Sequence, residues 1–282
     1  MTQTTTVEPR DQLDPGASAP NEKGRSRAPG WVLGLIVPVA ALVLWELGAR
    51  TGLISTRLMP APSDIANTLA GLAADGVLLG HMGSTSARVL VGFVIGATIG
   101  TVLGAATGAS LRFRALFDPT LQALRNIPSI AWTPLFILWF GIFETSKILM
   151  IALGVFFPVY LTLSGAIASV DRRLVEVGHV YGLSTTSLVG RILFPASLPT
   201  YLIGLRNGLG LGWMFVVAAE FLGASQGLGY LLVDGQQTGR PALIVASIVM
   251  FAVLGKLSDR LLAWGGGRLT GWQDGFMAKA PG

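Results

Sequence analysis

The sequence carries little of the usual equipment for covalent chemistry. It has no cysteine and two histidines, His81 and His179, in different segments. Without thiols there is no disulfide framework and no thiolate metal site. His179 reads as a surface residue. Gly255-Lys256-Leu257 comes nearest to a phosphate-cradling loop but lacks the glycine-rich turn of G-x-x-x-x-G-K-[ST], and neither G-x-G-x-x-G nor H-E-x-x-H occurs. No catalytic residue, no metal site and no cofactor bound by this chain is therefore expected. What remains is charge inside apolar runs: Arg125 with Asn126, Arg206 with Asn207, and Glu46 and Glu220. A charge in hydrocarbon is costly, so it pairs or faces a cavity. Arginine suits oxyanions. The two Arg-Asn pairs are thus candidates to face a cavity, the alternative being snorkelling or structural pairing near an interface. Glu46 and Glu220 are expected to pair structurally.

Those charges sit in a chain built for a membrane. Of 282 residues, 51% are hydrophobic and 12% charged, and mean hydropathy is +0.63. A soluble domain carries about 25% charge. Apolar runs cover 31–49, 89–108, 116–143, 148–170, 198–222 and 241–264, each near the length that crosses a ~30 Å hydrocarbon core. The third is interrupted by Pro128 and Pro134 and turns at Gly141. Such continuous runs exclude a transmembrane β-barrel, whose strands alternate. The expectation is an all-α integral membrane protein with six transmembrane helices. The polar tail, 1–30, is expected to be disordered, and 31–49 to be an uncleaved first span rather than a signal peptide.

Charge sets the orientation. With the N-terminus inside, Arg10, Lys23, Arg25, Arg27, Arg112, Arg114, Arg172, Arg173, Arg191, Arg268 and Lys279 are cytoplasmic, with Lys256 and Arg260 beside them. Arg50, Arg57, Lys147 and Arg240 are outside, and Arg88 lies at a boundary. This excess predicts both termini inside. It also accounts for the basic pI of about 10 without nucleic acid. Between the first two spans, 50–80 reads as an external amphipathic or irregular segment that extends toward residue 88. A core over 81–265 and a short cytoplasmic tail over 266–282 complete the organisation. Trp132, Trp139 and Trp213 read as interfacial anchors or packing residues.

Glycine makes up 37 of the residues. Gly92, Gly96, Gly100, Gly104 and Gly108 recur every four positions in the second span, and Gly204, Gly208 and Gly212 repeat the device in the fifth. Each set forms one helical stripe on which another helix can approach closely. A surface for sliding helices is the alternative.

The loop at 171–198 is not loop-like. Leu174, Val175, Val177 and Val180 suggest an apolar face beside Glu176. Gly182 can end that helix in the left-handed conformation, and Ser184 can cap a second helix over 185–194. Leu188, Val189, Ile192 and Leu193 stripe it, Pro195 is expected to stop it, and Pro199 to start the next span. The product is a bent pair of amphipathic helices outside the bilayer, suited to a groove on a partner protein, the alternative being an interfacial helix resting on lipid headgroups.

Here the sequence resembles a known family. Glu176-Val177-Gly178, three residues, Gly182, nine residues, then Ile192-Leu193-Phe194-Pro195 is similar to the EAA loop of binding-protein-dependent ABC importer permeases, Glu-Ala-Ala-x-x-x-Gly-x9-Ile-x-Leu-Pro. Val177, Gly178 and Phe194 depart from it. Further stretches, 124–128, 131–141, 152–160 and 218–230, resemble the sulfonate, taurine and nitrate branch. The resemblance implies a type I importer permease fold and a small anionic solute, aliphatic sulfonates first, with taurine or nitrate as alternatives. It implies a bacterial cytoplasmic (inner) membrane location, a second permease copy, two ABC ATPase subunits that use ATP and Mg, and an extracytoplasmic solute-binding protein. It also implies that Glu176, Val177, Gly178, Gly182, Ile192, Phe194 and Pro195 couple this chain to the ATPase, and, for an anionic solute, that Arg125, Asn126, Arg206 and Asn207 are candidates to line its exit path, whereas Glu46 and Glu220 would repel it. A secondary transporter is the distant alternative. It would need a mid-membrane coupling carboxylate and usually an inverted repeat.

Overall fold

The computed structural model describes residues 30–221 and 223–270, and all regular structure in them is helical. The elements are α1 (Gly30–Arg50), α2 (Pro62–Ala74), α3 (Val77–Ala109), α4 (Leu111–Arg125), α5 (Ser129–Phe140), α6 (Glu144–Ala168), α7 (Arg172–Val180), α8 (Thr185–Leu188), a π-helical turn (Val189–Leu193), α9 (Phe194–Phe221), α10 (Leu228–Gln237) and α11 (Pro241–Leu269). Val77–Ala109, Glu144–Ala168, Thr185–Phe221 and Pro241–Leu269 are long and apolar enough to cross a bilayer, and Ala131–Phe140 is a shorter apolar helix. The tail expected over 1–30 lies outside the described residues but for Gly30, as does the chain after 270. Residues 266–269 belong to α11 rather than to a tail. Through Trp45 the chain is a unit by itself, and the rest forms a second compact unit.

Within that second unit, α6 is the central helix. The α3 glycines face it in increasing order: Gly92 meets Ile151, Gly96 meets Ala152 and Val155, Gly100 meets Phe156 and Val159, Gly104 meets Tyr160, and Gly108 meets Ile167. The two helices therefore run parallel. A Cβ added at Gly100 or Gly104 would stand 2.9 Å from a carbonyl oxygen of α6, that of Phe156 or Tyr160. Only glycine allows this approach, which brings the two backbones together. The second stripe lies on α6 with the order reversed. Gly204 meets Thr162, Gly208 meets Val159 and Val155, and Gly212 meets Val155. So α9 is antiparallel to α6. Ile151, Val155, Val159 and Leu209 are buried in the seam. Stiff β-branched residues on α6 fill the space that the glycines leave on both neighbours.

Because α3 and α6 are parallel, the chain between them must return. It does so in two pieces. Pro128 interrupts the third apolar run and precedes α5, whereas Pro134 sits inside α5 without ending it. The run closes at Gly141, with φ +74°. Its expected start at 116 falls within α4, which has no buried residue. The segment between the first two spans is helical: α2 is capped by a proline first turn, and α3 begins twelve residues before the apolar run at 89.

One further expectation is overturned. Pro195 does not stop a helix, and Pro199 does not start one. Both lie in α9, which follows the π-helical turn directly. In that turn the Phe194 N–H reaches back five residues to the Val189 carbonyl. The wider spacing redistributes the carbonyls around Pro195, which has no N–H to give. The second half of the elbow is thus continuous with the fifth span.

Candidate functional site

The elbow is built from local signals. Asp171 caps α7 by accepting the Arg173 N–H at 2.9 Å. At its other end Leu183 N–H bonds to the Gly178 carbonyl and Gly182 N–H to that of His179. These are the two bonds of a Schellman closure, with Gly182 at φ +69°. The Ser184 hydroxyl accepts the Ser187 N–H and opens α8. The inner side is apolar: Leu188 and Leu193 are buried against Leu163 and Ile167 of α6, with Val175, Val189 and Ile192 packed around them. Gly178 is buried where the two arms meet, and a Cβ there would press on Leu188 and Ile192. That contact gives a reason for glycine where the EAA pattern has alanine.

The outer side is open. Of the four residues read as one apolar face, Val175 turns inward, whereas Leu174, Val177 and Val180 are exposed together with Tyr181. Glu176 is exposed and paired with Arg172 at 2.9 Å, one turn away. His179 is exposed, as expected.

Arg125 and Asn126 line a cavity of about 350 Å³ with Trp132, Gly154, Phe157 and Phe215. Arg206 is not among its lining residues. Its guanidinium forms a bidentate pair with Asp259 of α11, at 2.7 and 2.9 Å. The structure therefore separates the two Arg-Asn pairs. Trp132 is a cavity wall, Trp213 packs on Phe251 and donates to Ser258 at 2.8 Å, and Trp139 is exposed.

At the end of the bundle away from the elbow lies a cluster that the residue types announced only in part. Glu46 pairs as expected, accepting from Arg50 at 2.5 Å and from the Ser63 N–H at 3.0 Å. Glu220 is 1% exposed. Its carboxylate accepts from Arg88 Nη1 at 2.6 Å, from the Thr85 hydroxyl at 2.9 Å and from the Gly229 N–H at 2.8 Å. Arg88 also grips Glu144 at 2.5 and 2.8 Å, and Lys147 reaches Glu144 at 3.0 Å. Thr85 in turn accepts the Leu228 N–H, and His81 Nδ1 accepts the Gly227 N–H. His81 therefore carries its proton on Nε2 when neutral. The cluster ties the starts of α3 and α6 to the end of α9 and fixes the turn before α10. Gly227, at φ +132°, leaves room for the carboxylate. Reading Arg88 as a boundary residue hid its partner. The available signal was that a carboxylate and an arginine in separate apolar segments each require one.

The comparisons with known proteins agree with this architecture. Residues 81–270 match the family described as the binding-protein-dependent transport system inner membrane component. The chain belongs to this family. It is a multi-pass inner-membrane permease subunit of an ABC importer. Among its relatives, a Bacillus subtilis protein named as the aliphatic sulfonates transport permease SsuC is 38% identical, with 92% of this chain and 94% of the relative covered. The Escherichia coli protein of the same name is 40% identical, with 86% and 90% covered. The E. coli taurine transport system permease TauC is 31% identical, with 89% and 96% covered. A solved chain of the MetNI methionine ABC transporter, in an inward-facing conformation, aligns with a TM-score of 0.59 at 19% identity, covering 68% of this permease and 94% of that chain. That likeness concerns the fold.

Proposed function

We propose that this permease works as a homodimer that moves aliphatic sulfonates inward, driven by two ATPase subunits seated on its elbows. The observation that carries the reading is the elbow itself. Its inner side is locked to α6, and its outer side leaves Leu174, Val177, Val180 and Tyr181 without cover. An exposed apolar patch of this kind marks a partner surface. Since the π-helical turn joins the elbow's second arm to α9 without a break, force on the elbow reaches a span through that arm. The ATPase holds ATP and Mg, and this chain binds no cofactor. Glu176, Val177, Gly178, Gly182, Ile192, Phe194 and Pro195 divide the work: the first two face the partner, and the others set the elbow's angle and its seat.

The orientation follows from charge. Arg112, Arg114, Arg172, Arg173, Arg191 and Arg268 gather at the elbow end, which supports a cytoplasmic position for that end. At the opposite end Arg88 and Lys147 are neutralised by the buried cluster. An extracytoplasmic binding protein delivers the solute there. The naming of the sulfonate relatives supports the substrate class, and Arg125 with Asn126 gives the adjacent cavity a donor set for a single oxyanion. Arg206, held by Asp259, is left off that path in this reading, and Asn207 with it.

The test is uptake of a radiolabelled alkanesulfonate into cells expressing this permease with its own ATPase and binding protein. Uptake should be ATP-dependent, exceed taurine and nitrate uptake, and show a raised apparent KM in Arg125→Gln. Transport of taurine or nitrate in preference to alkanesulfonates would reject the substrate. Unchanged kinetics in Arg125→Gln would reject the path.

A further inference from the structure

We infer that the groove between the start of α9 and the end of α11 is a binding site for the headgroup of an anionic phospholipid. Pro199, Leu202, Ile203 and Arg206 form one wall, Leu262, Gly266 and Gly267 the other, around about 390 Å³. The lining is amphiphilic. Leucine and isoleucine side chains offer an apolar bed for the start of an acyl chain, while Arg206 and Thr200 offer donors. Asp259 takes the Nε and Nη2 edge of Arg206. The Nη1–Nη2 edge of the guanidinium stays available for a second oxyanion, and arginine pairs with phosphate by that fork.

Two further observations place the groove at headgroup depth. Trp264, 60% exposed on α11, carries the Arg268 guanidinium 3.6 Å above its ring. Exposed tryptophan beside a snorkelling arginine marks the membrane interface. Arg206 is the basic residue in the groove's lining, and Lys256 and Arg260 flank Asp259 on α11. Basic pockets between spans hold anionic headgroups. A small free oxyanion has no use for the apolar wall, and this favours the lipid.

Native mass spectrometry of the full-length chain, titrated with phosphatidylglycerol or phosphatidylcholine, tests the site. Phosphatidylglycerol should be retained at least about tenfold more tightly than phosphatidylcholine, because both carry a phosphodiester but the choline cation of the second is repelled by the guanidinium beside it. Arg206→Gln combined with Asp259→Asn removes the charge without stranding a carboxylate, and should erase the preference. A Cβ at Gly267 meets open space. Gly267→Phe should therefore fill the groove and displace the lipid at unchanged thermal stability. Equal retention of the two lipids, or full phosphatidylglycerol retention in both variants, would overturn the site. Displacement of phosphatidylglycerol by millimolar methanesulfonate or sulfate would assign the groove to a small oxyanion instead and overturn the proposal. So would retention that appears only once residues 271–282 are removed, since the chain's own end would then be the occupant.

Discussion

The two ends of this permease are finished differently. At the end away from the elbow, Glu220, Arg88, Glu144, Lys147, Thr85, His81 and the amides of 227–229 satisfy one another. At the elbow end, polar groups close the backbone of α7 and α8, but Val177, Val180 and Tyr181 are uncovered. Between them the glycine seams hold α3, α6 and α9 together as one body. A closed cluster gives the fold its register, and an open face leaves an interaction to be completed by a partner. Substitutions at the first should therefore cost stability, and those at the second should cost coupling.

The sharpest break of this contrast lies in the seam. Gly96→Leu would drive a side chain into the Ala152 carbonyl and Val155 of α6. Backbone cannot yield as a side-chain tip can, so membrane-inserted protein should fall below detection in a fluorescence size-exclusion assay. Normal levels would mean that the helices slide apart freely. Next comes Glu220→Ala. It strands the Thr85 hydroxyl and the Gly229 N–H and leaves Arg88 to Glu144 and the Gln226 carbonyl, and a stranded buried group costs about 1–3 kcal/mol. A drop in thermal stability of that order is expected, with Glu220→Gln milder because its one amide oxygen can still accept from Thr85 and Gly229, although its NH2 then faces Arg88.

Coupling substitutions should behave in the opposite way. Glu176→Lys breaks an exposed pair with Arg172, which contributes at most about 1 kcal/mol. Stability should be unchanged while uptake is lost and the ATPase turns over without transport. Normal uptake with normal ATPase association would remove Glu176 from the coupling surface. Smallest is Ser184→Ala, which removes the cap of α8. It should cost about 1 kcal/mol, measured by thermal unfolding, with partial loss of uptake because the elbow angle loosens.

Legibility follows the range of the interaction. The elbow could be read because its determinants are local: Gly182 and Ser184 act within a few residues of themselves. The stripes could be read as close packing because four-residue spacing is a property of one helix. That both stripes lie on α6 could not, because a stripe does not name the helix opposite. The Arg88–Glu220 pair joins positions 132 residues apart, and nothing in the spacing connects them. Pro195 misled for a related reason. Proline's missing N–H argues for a helix end, and only the π-helical turn before it lets the helix pass.

The central claim is that the uncovered side of the elbow seats an ATPase. The chain contains no cysteine, so a single introduced thiol reports without background. Val177→Cys, in the assembled transporter with single cysteines placed along the surface cleft of its ATPase, should form a disulfide-linked permease–ATPase adduct on mild oxidation. Val102→Cys, exposed on α3, should not. An adduct at 177 alone is the predicted result. No adduct at 177 with any cleft position, in a complex that still hydrolyses ATP and transports, would contradict the account.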